Sequence, residues 1–475
     1  MFIGDYYFEF PTSFPQLGAT SFWYVAFLFL VFLLARPFRS ILRPYILLIA
    51  NVVFLYSFSV KALIYVAAAA LYSYLFGLLL GKFKKKWLLW IGILPVIGLL
   101  VFMKYAGLFH WKDGVVMPLG LSFYSFKIIS YLADVCNGKI PSQKNPIYYF
   151  DYVLFFPSIT AGPIHRAKEF FEEVNKREEF DYRDSKNGGA QMMLGIFEKM
   201  VFCDFIASVV NRIFDNPELT GMNILLGVVL YAFQIYLDFD SYSNIAIGSA
   251  RVLGIHLKKN FNSPYLGRNL KEFWARWHIS LSTWLRDYIY IPLGGNRRGK
   301  ILQYVNVLVV FLVSGIWHGS TLNFLLWGLF HGLLRVLEDL ILLPFKGKKF
   351  PKPVVFLFSI IGIVLNFAIV TALWLIFRYE TMGEVMHVID LIRAGGALNF
   401  EAIGLTHNEV LWLGAVLAIT IVLDILRNYF DMIDVLSRQF ILVRWLFYAL
   451  VIVIFLIFGV YGGSFDASDF IYQSF

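Results

Sequence analysis

Along most of this chain apolar residues follow one another without alternation, in runs such as Phe22 to Leu34 and Val451 to Phe458, and polar positions fall in short groups between the runs. A helix needs about 20 residues to cross a hydrocarbon layer of about 30 Å, and windows of that length recur over almost the whole sequence. Unbroken runs predict helices, because the strands of a membrane barrel alternate outward apolar and inward polar residues. The pattern predicts an all-α polytopic integral membrane protein forming a single membrane domain over residues 1–475. N-terminal helices occupy 1–110, a core region 115–345, and C-terminal helices with a tail 353–475. About eleven to thirteen spans fit.

The polar groups orient these spans. Arg36, Arg39 and Arg43 form one basic group, Lys82, Lys84, Lys85 and Lys86 a second, and Lys346, Lys348, Lys349 and Lys352 a third. Ten lysines and arginines lie between Arg251 and Lys300. Basic groups flanking membrane helices stay on the cytoplasmic side, so all four are expected there. Segments 301–317 and 321–341 then run out and back, and seventeen residues climb about 25 Å. That places His318 at the turn, toward the outer leaflet. The tail after residue 461, with Asp466 and Asp469 and no base, is expected outside. In the middle, 115–135 and 146–163 are interrupted by Pro118, Gly120, Pro157, Gly162 and Pro163, which suits backbone lining an enclosed cavity. Segment 166–187 reads as a polar surface insertion.

Composition narrows the class. With 59% hydrophobic and 15% charged residues and a mean hydropathy of +0.68, the chain carries more apolar surface than a soluble fold of this length can hide. The net charge of +9 resides in the interhelical groups, so it marks orientation in a lipid bilayer and no nucleic-acid partner. The first apolar run lacks the charged start and cleavage site of a removable signal and is expected to remain as an anchor. Cys136 and Cys203 are the only cysteines, which excludes a disulfide framework and a cysteine zinc site. No metal and no bound cofactor are expected.

Candidate chemistry centres on two histidines. His318 lies between strongly apolar runs, and an ionisable side chain at membrane depth is a functional candidate by default. Within Glu272 to Tyr290, Trp277, Leu281, Trp284 and Tyr288 fall on one helical face, and Arg276, Ser280, Thr283 and Asp287 on a neighbouring polar one. This reads as one continuous interfacial helix, with His278 near the cytoplasmic surface and His318 on the far side. His331 lies thirteen residues beyond His318, about 220° around a helix, so the two are expected to face apart.

The segments FWARWHISLSTWLRDYIYIPLGGNRRG, WHGSTLNFLLWGLFHG, QIYLDFDSYSNIAIG and ITAGPIHR resemble the signatures of the membrane-bound O-acyltransferase family, in its bacterial branch for alginate O-acetylation and D-alanyl transfer. The resemblance implies a helical bundle around a central tunnel in the bacterial cell membrane. It also implies acyl transfer from a cytoplasmic thioester, acetyl-CoA or another, to an exported polysaccharide. By the resemblance His318 is the family histidine and His278 the second one. An imidazole can remove the proton of an acceptor hydroxyl as it attacks the thioester. Trp317, Ser320, Asn323 or backbone amides are candidate donors to the oxyanion. An extracytoplasmic esterase-like or transferase partner follows by family analogy.

Each feature has a plainer reading too. His318 could be a satisfied histidine at a helix turn, and His278 could simply anchor an interfacial helix, although lining the donor side of the tunnel is preferred over both that and a direct catalytic role. Asp238 could orient a histidine or pair with Arg276 or Arg286, with pairing preferred; Asp240 stands where the family has a small residue. Arg286 and Asp287 read as helix-end pairing at a tunnel mouth. Tyr472, in DFIYQSF, resembles the tyrosine of an aromatic terminal motif and is either an acyl relay or an interfacial anchor. D-alanyl transfer to teichoic acid from a carrier protein is the alternative activity. A flippase for lipid-linked glycan is the alternative class, although its expected internal repeat is not found.

Overall fold

The computed structural model describes residues 15–35, 42–106, 118–175, 181–345 and 347–460; Tyr472 lies outside them. Among these residues the regular structure is helical throughout, in chain order α1 (Phe22–Ala35), α2 (Arg43–Phe58), α3 (Val60–Phe83), α4 (Lys86–Tyr105), α5 (Leu121–Cys136), α6 (Pro146–Leu154), α7 (Ala167–Asn175), α8 (Tyr182–Phe197), α9 (Asp204–Phe214), α10 (Met222–Val252), α11 (Leu270–Arg276), α12 (Ile279–Leu285), α13 (Lys300–His318), α14 (Leu322–Leu342), α15 (Lys352–Arg378), α16 (Met382–Arg393), α17 (His407–Arg427), α18 (Met432–Arg438) and α19 (Ile441–Phe458). Seven of the described helices, α3, α4, α10, α13, α15, α17 and α19, are long and apolar enough to cross a membrane, and α1 and α2 are shorter apolar helices. The other expected spans are those that carry charges or breaks. Arg335, Glu338 and Asp339 sit in the last turns of α14, and the 146–163 run ends its helix at Leu154 before a tight turn over Phe156–Ser158.

The helix α10 is the central post, with 72% of its most apolar window buried, whereas α19 buries none of its residues. Small residues let α8 lie directly on α10. A methyl group on Gly248 would stand 2.4 Å from the Met192 nitrogen, and one on Gly188 would stand 2.7 Å from the Val252 nitrogen. Close backbone approach at small residues is the usual device for packing helices in lipid, where no hydrophobic force draws them together. From α8 the chain continues through a π-helical turn, Glu198–Cys203, into α9.

Three basic side chains come together beyond the end of α10 and mark a basic face. Arg43 donates to the Leu253 carbonyl at 2.8 Å, Lys259 lies 3.9 Å from Asp431, and Arg183 lies 3.3 Å from Asp434. The opposite face is built where the Gly221 and Met222 amides, at the start of α10, donate to the carbonyls of Leu391 and Gly396.

Segment 272–290 departs from the expected single interfacial helix. It breaks at His278, whose backbone is left-handed at φ 41° and ψ 55°, and resumes as α12 and a π-helical turn. The break tips the segment into the bundle. Trp277 and His278 are each 1% exposed, and Trp277 stacks on Phe273 and lies 4.8 Å from the ring of Trp374. The aromatic face is thus core rather than membrane interface.

Candidate active site

His318 is the last residue of α13, and three elements fix it. Close crossing with α14 comes from Gly315 and Gly328, where a methyl group would meet the Phe324 and Phe311 carbonyl oxygens at 2.4 and 2.3 Å. The terminal carbonyls of α13, which have no partner within a helix, are taken by the end of α4. Lys104 donates to Trp317 and, at 3.4 Å, to His318; the Tyr105 hydroxyl donates to Ile316 at 2.8 Å and Gly319 at 3.1 Å. On the far side of the turn, Asn323 Nδ2 donates to the Tyr379 carbonyl at 2.8 Å, tying α14 to the end of α15.

The imidazole of His318 is 2% exposed and enclosed by the rings of Trp317, Trp327 and Phe377 at 4.6, 5.0 and 5.2 Å. The same Trp317 ring lies 6.4 Å from that of His278. The expectation of two histidines on opposite faces is therefore corrected: they flank one tryptophan. The break at His278 swings the ring inward, which no continuous surface helix could do. His331 joins the group, 4.8 Å from Trp327, with its Nδ1 accepting from Trp274 Nε1 at 3.3 Å. The predicted 220° separation assumed one helix through both residues, but α13 stops at His318 and α14 folds back beside it.

Asn260 orients His278. Its Oδ1 accepts from Ser280 N and Oγ at 3.2 and 2.8 Å and faces His278 Nδ1 at 3.1 Å, while its Nδ2 donates to Ser243. An oxygen in that position requires a proton on Nδ1, so Nε2 is the basic nitrogen of the neutral ring.

Two cavities approach the histidines. One of about 230 Å³, on the basic face, is lined by Glu198, Tyr236, Asp240, Asn244, Asn260 and Arg427, and so reaches the residue that holds His278. The other, about 510 Å³, is lined by Tyr231, Gln234, Thr321, Phe324, Phe377 and Arg378, and so reaches the turn after His318 and a ring packed on it. They meet α10 at successive levels, Tyr231 and Gln234 for one and Tyr236 onward for the other.

The remaining candidates separate. Trp317 Nε1 is buried without a hydrogen-bond acceptor among the described residues, beside both imidazoles. Ser320 is half-buried in the turn after His318, and Asn323 engages its amide nitrogen in structure. Asp238 pairs with neither Arg276 nor Arg286. Its partner is Lys199, at 2.7 Å, which also holds Asp204 at 2.8 Å, while Asp240 pairs with Arg427 at 2.7 Å. Arg276 instead donates to Asn428 and the Asn262 carbonyl. Arg286 and Asp287 do pair, at 2.9 Å, and Arg166 adds a contact to Asp287 at 3.4 Å, apart from the histidine cluster. Lys199, Arg427, Asn260 and Lys104 were missed in the sequence. For Lys199 the signal was present, a lone cation inside an apolar run; Asn260, in a polar loop, offered none.

The family model for MBOAT, the membrane-bound O-acyltransferase family, matches residues 46–379. A probable alginate O-acetylase of Pseudomonas fluorescens is 36% identical over 363 residues, covering 75% of this chain and 70% of the relative. The peptidoglycan O-acetyltransferase of Helicobacter pylori is 29% identical over 420 residues, 79% of this chain and 78% of the relative. The teichoic acid D-alanyltransferase of Bacillus subtilis is 28% identical over 247 residues, 49% of this chain and 62% of the relative.

Proposed function

From its place in the membrane-bound O-acyltransferase family, to which this chain belongs, we propose that it moves an acetyl group from a cytoplasmic thioester, acetyl-CoA, to a hydroxyl of an exported polysaccharide. The observation that carries this reading is the single tryptophan flanked by His278 and His318, with one cavity reaching each side. The cavity on the basic face takes the thioester, because cytoplasmic loops hold the lysines and arginines. The acceptor enters by the cavity at Thr321.

In this scheme His318 takes the hydroxyl proton as the alkoxide forms its bond to the acyl carbon. The negative charge that develops on the carbonyl oxygen is met by Trp317 Nε1–H, an N–H without a competing acceptor among the described residues. The carbon–sulfur bond then breaks, and the thiolate leaves with the proton that the imidazole had taken. His278, held as the Nε2-basic tautomer by Asn260, lines the donor side. The acyl group crosses while the charged coenzyme stays where it is. The protein sits in the bacterial cell membrane with its C-terminus outside; in a two-step form of the scheme the attacking hydroxyl is the Tyr472 phenol, and an esterase-like partner then moves the acetyl group from that ester to the polymer.

D-alanyl transfer is the second reading, supported by similarity to the D-alanyltransferases, but the acetylating relatives match more of the chain at higher identity. The test is thioester turnover by purified protein with labelled acetyl-CoA and, in parallel, a D-alanyl carrier thioester. Acetyl-CoA consumption that disappears in His318→Ala is the expected result. Substrate flux across proteoliposomes without thioester consumption would overturn the enzyme reading in favour of a flippase.

A further inference from the structure

A cleft on the lipid-facing side of the bundle has no part in this chemistry. It encloses about 350 Å³ between α8 and α19, bounded by Ala190, Ile196 and Phe197 on one side and Phe447, Val451 and Phe455 on the other, with Lys186 at one end. Phe447, Val451 and Phe455 recur every four residues, so α19 presents one stripe to the cleft. None of its residues is buried, although it is among the most apolar helices of the chain, with a hydropathy of 2.7. On the α8 side Gly189 lines the cleft, and a methyl group added there would meet nothing within 4 Å.

Such a space does not stay empty in a bilayer. Its apolar walls give water no partners, and a void forfeits the dispersion contacts of every atom lining it. Hydrocarbon is the filler available at that depth. The end at Lys186 adds a charge requirement. Arg183 lies one turn before it, Arg438 closes α18, and Arg444 stands in the first turn of α19, donating to the Ser437 carbonyl at 3.4 Å. Asp434 takes Arg183 at 3.3 Å and Arg438 at 2.6 Å. Partial burial and the guanidinium groups of Arg444 and Arg183 push the Lys186 ammonium below its ordinary range, the sign of cations crowded together.

We propose that this cleft is a binding site for an anionic phospholipid of the leaflet on the basic face, one acyl chain lying between α8 and α19 and the phosphate held by Lys186 and Arg444. Apolar depth and cationic mouth together select the ligand: a chain alone would need no cations, and a free phosphate would need no apolar cleft.

The test uses full-length protein purified in detergent and stripped of lipid, with dioleoylphosphatidylglycerol or dioleoylphosphatidylcholine added in mixed micelles. Phosphatidylglycerol should raise the Tm by several degrees and phosphatidylcholine should not. Gly189→Leu, whose Cβ would meet no atom within 4 Å, should keep the lipid-free Tm and lose the shift, and Lys186→Ala with Arg444→Ala should lose it as well. Equal shifts with both lipids, or a full shift in Gly189→Leu, would overturn the proposal. Native mass spectrometry of the wild-type protein gives a second readout independent of the variants: retained phosphatidylglycerol supports the site, and equal retention of both lipids refutes it.

Discussion

Trp317 is where a single atom separates a structural role from a chemical one. The indole ring packs against His318, His278 and Phe126, and any large aromatic would serve that purpose. Its Nε1–H is different, a donor buried without an acceptor among the described residues, which costs free energy until an acceptor binds beside it during turnover. Trp317→Phe keeps a ring in place and deletes the N–H. Acetyl transfer in this variant should fall in kcat by about a hundredfold, the usual effect of losing one oxyanion donor, with KM for acetyl-CoA little changed. Steady-state kinetics in detergent check it; a change confined to KM would mean that the indole only shapes the pocket.

Between helices, contact geometry decides where the imidazole ends up. Because a methyl group at Gly328 would stand 2.3 Å from the Phe311 carbonyl, backbone against backbone, Gly328→Ala has to push α13 and α14 apart. Overpacking of this kind costs about 1 to 3 kcal/mol, and His318 rides on the displaced helix, so both the Tm and the activity should drop. Gly98→Ala in α4 meets nothing within 4 Å and should leave both unchanged, which makes it the control. A second joint responds to pH. Asp184, partly offset by burial, and Glu173 hold His256 in its charged form, raising its pKa from 6.5 to about 9 and clamping α7, α8 and the loop after α10. A raised pKa means that this stabilisation is complete below about pH 6.5 and is lost as pH climbs through about 9. The ring is half exposed, so the effect is screened and modest. The Tm of the wild-type protein should decline over that interval more than that of His256→Gln; parallel profiles would show that the clamp is not made in solution.

At the scale of the whole molecule, what the sequence disclosed was what a bilayer imposes. Long apolar runs had to be helices, and Arg43 and Lys259 had to lie on one face, because both follow from transferring chain into hydrocarbon. The break at His278 was hidden because no glycine or proline marks it and the flanking residues keep a helical period. The Asp238 to Lys199 pair was hidden because it joins positions 39 residues apart, and period gives no distance between helices. Both omissions bear on the site, since together they bring His278 inward and assign Asp238 to scaffolding.

If the two cavities are the two ends of one path, they should fail in different ways when obstructed. Asn244 lines the cavity on the basic face and Thr321 the opposite one. A tryptophan at position 244 narrows the way to His278 from the thioester side. Asn244→Trp should raise KM for acetyl-CoA and slow hydrolysis and transfer equally, since no acyl group then arrives. A tryptophan at position 321 stands in front of the hydroxyl instead. Thr321→Trp should raise KM for the acceptor and leave thioester hydrolysis by water near the wild-type rate, because water passes where a sugar does not. Measuring hydrolysis and transfer side by side in the two variants separates these cases. If both substitutions raised the same KM, donor and acceptor would share one entrance, and the passage between the two histidines would carry no acyl group.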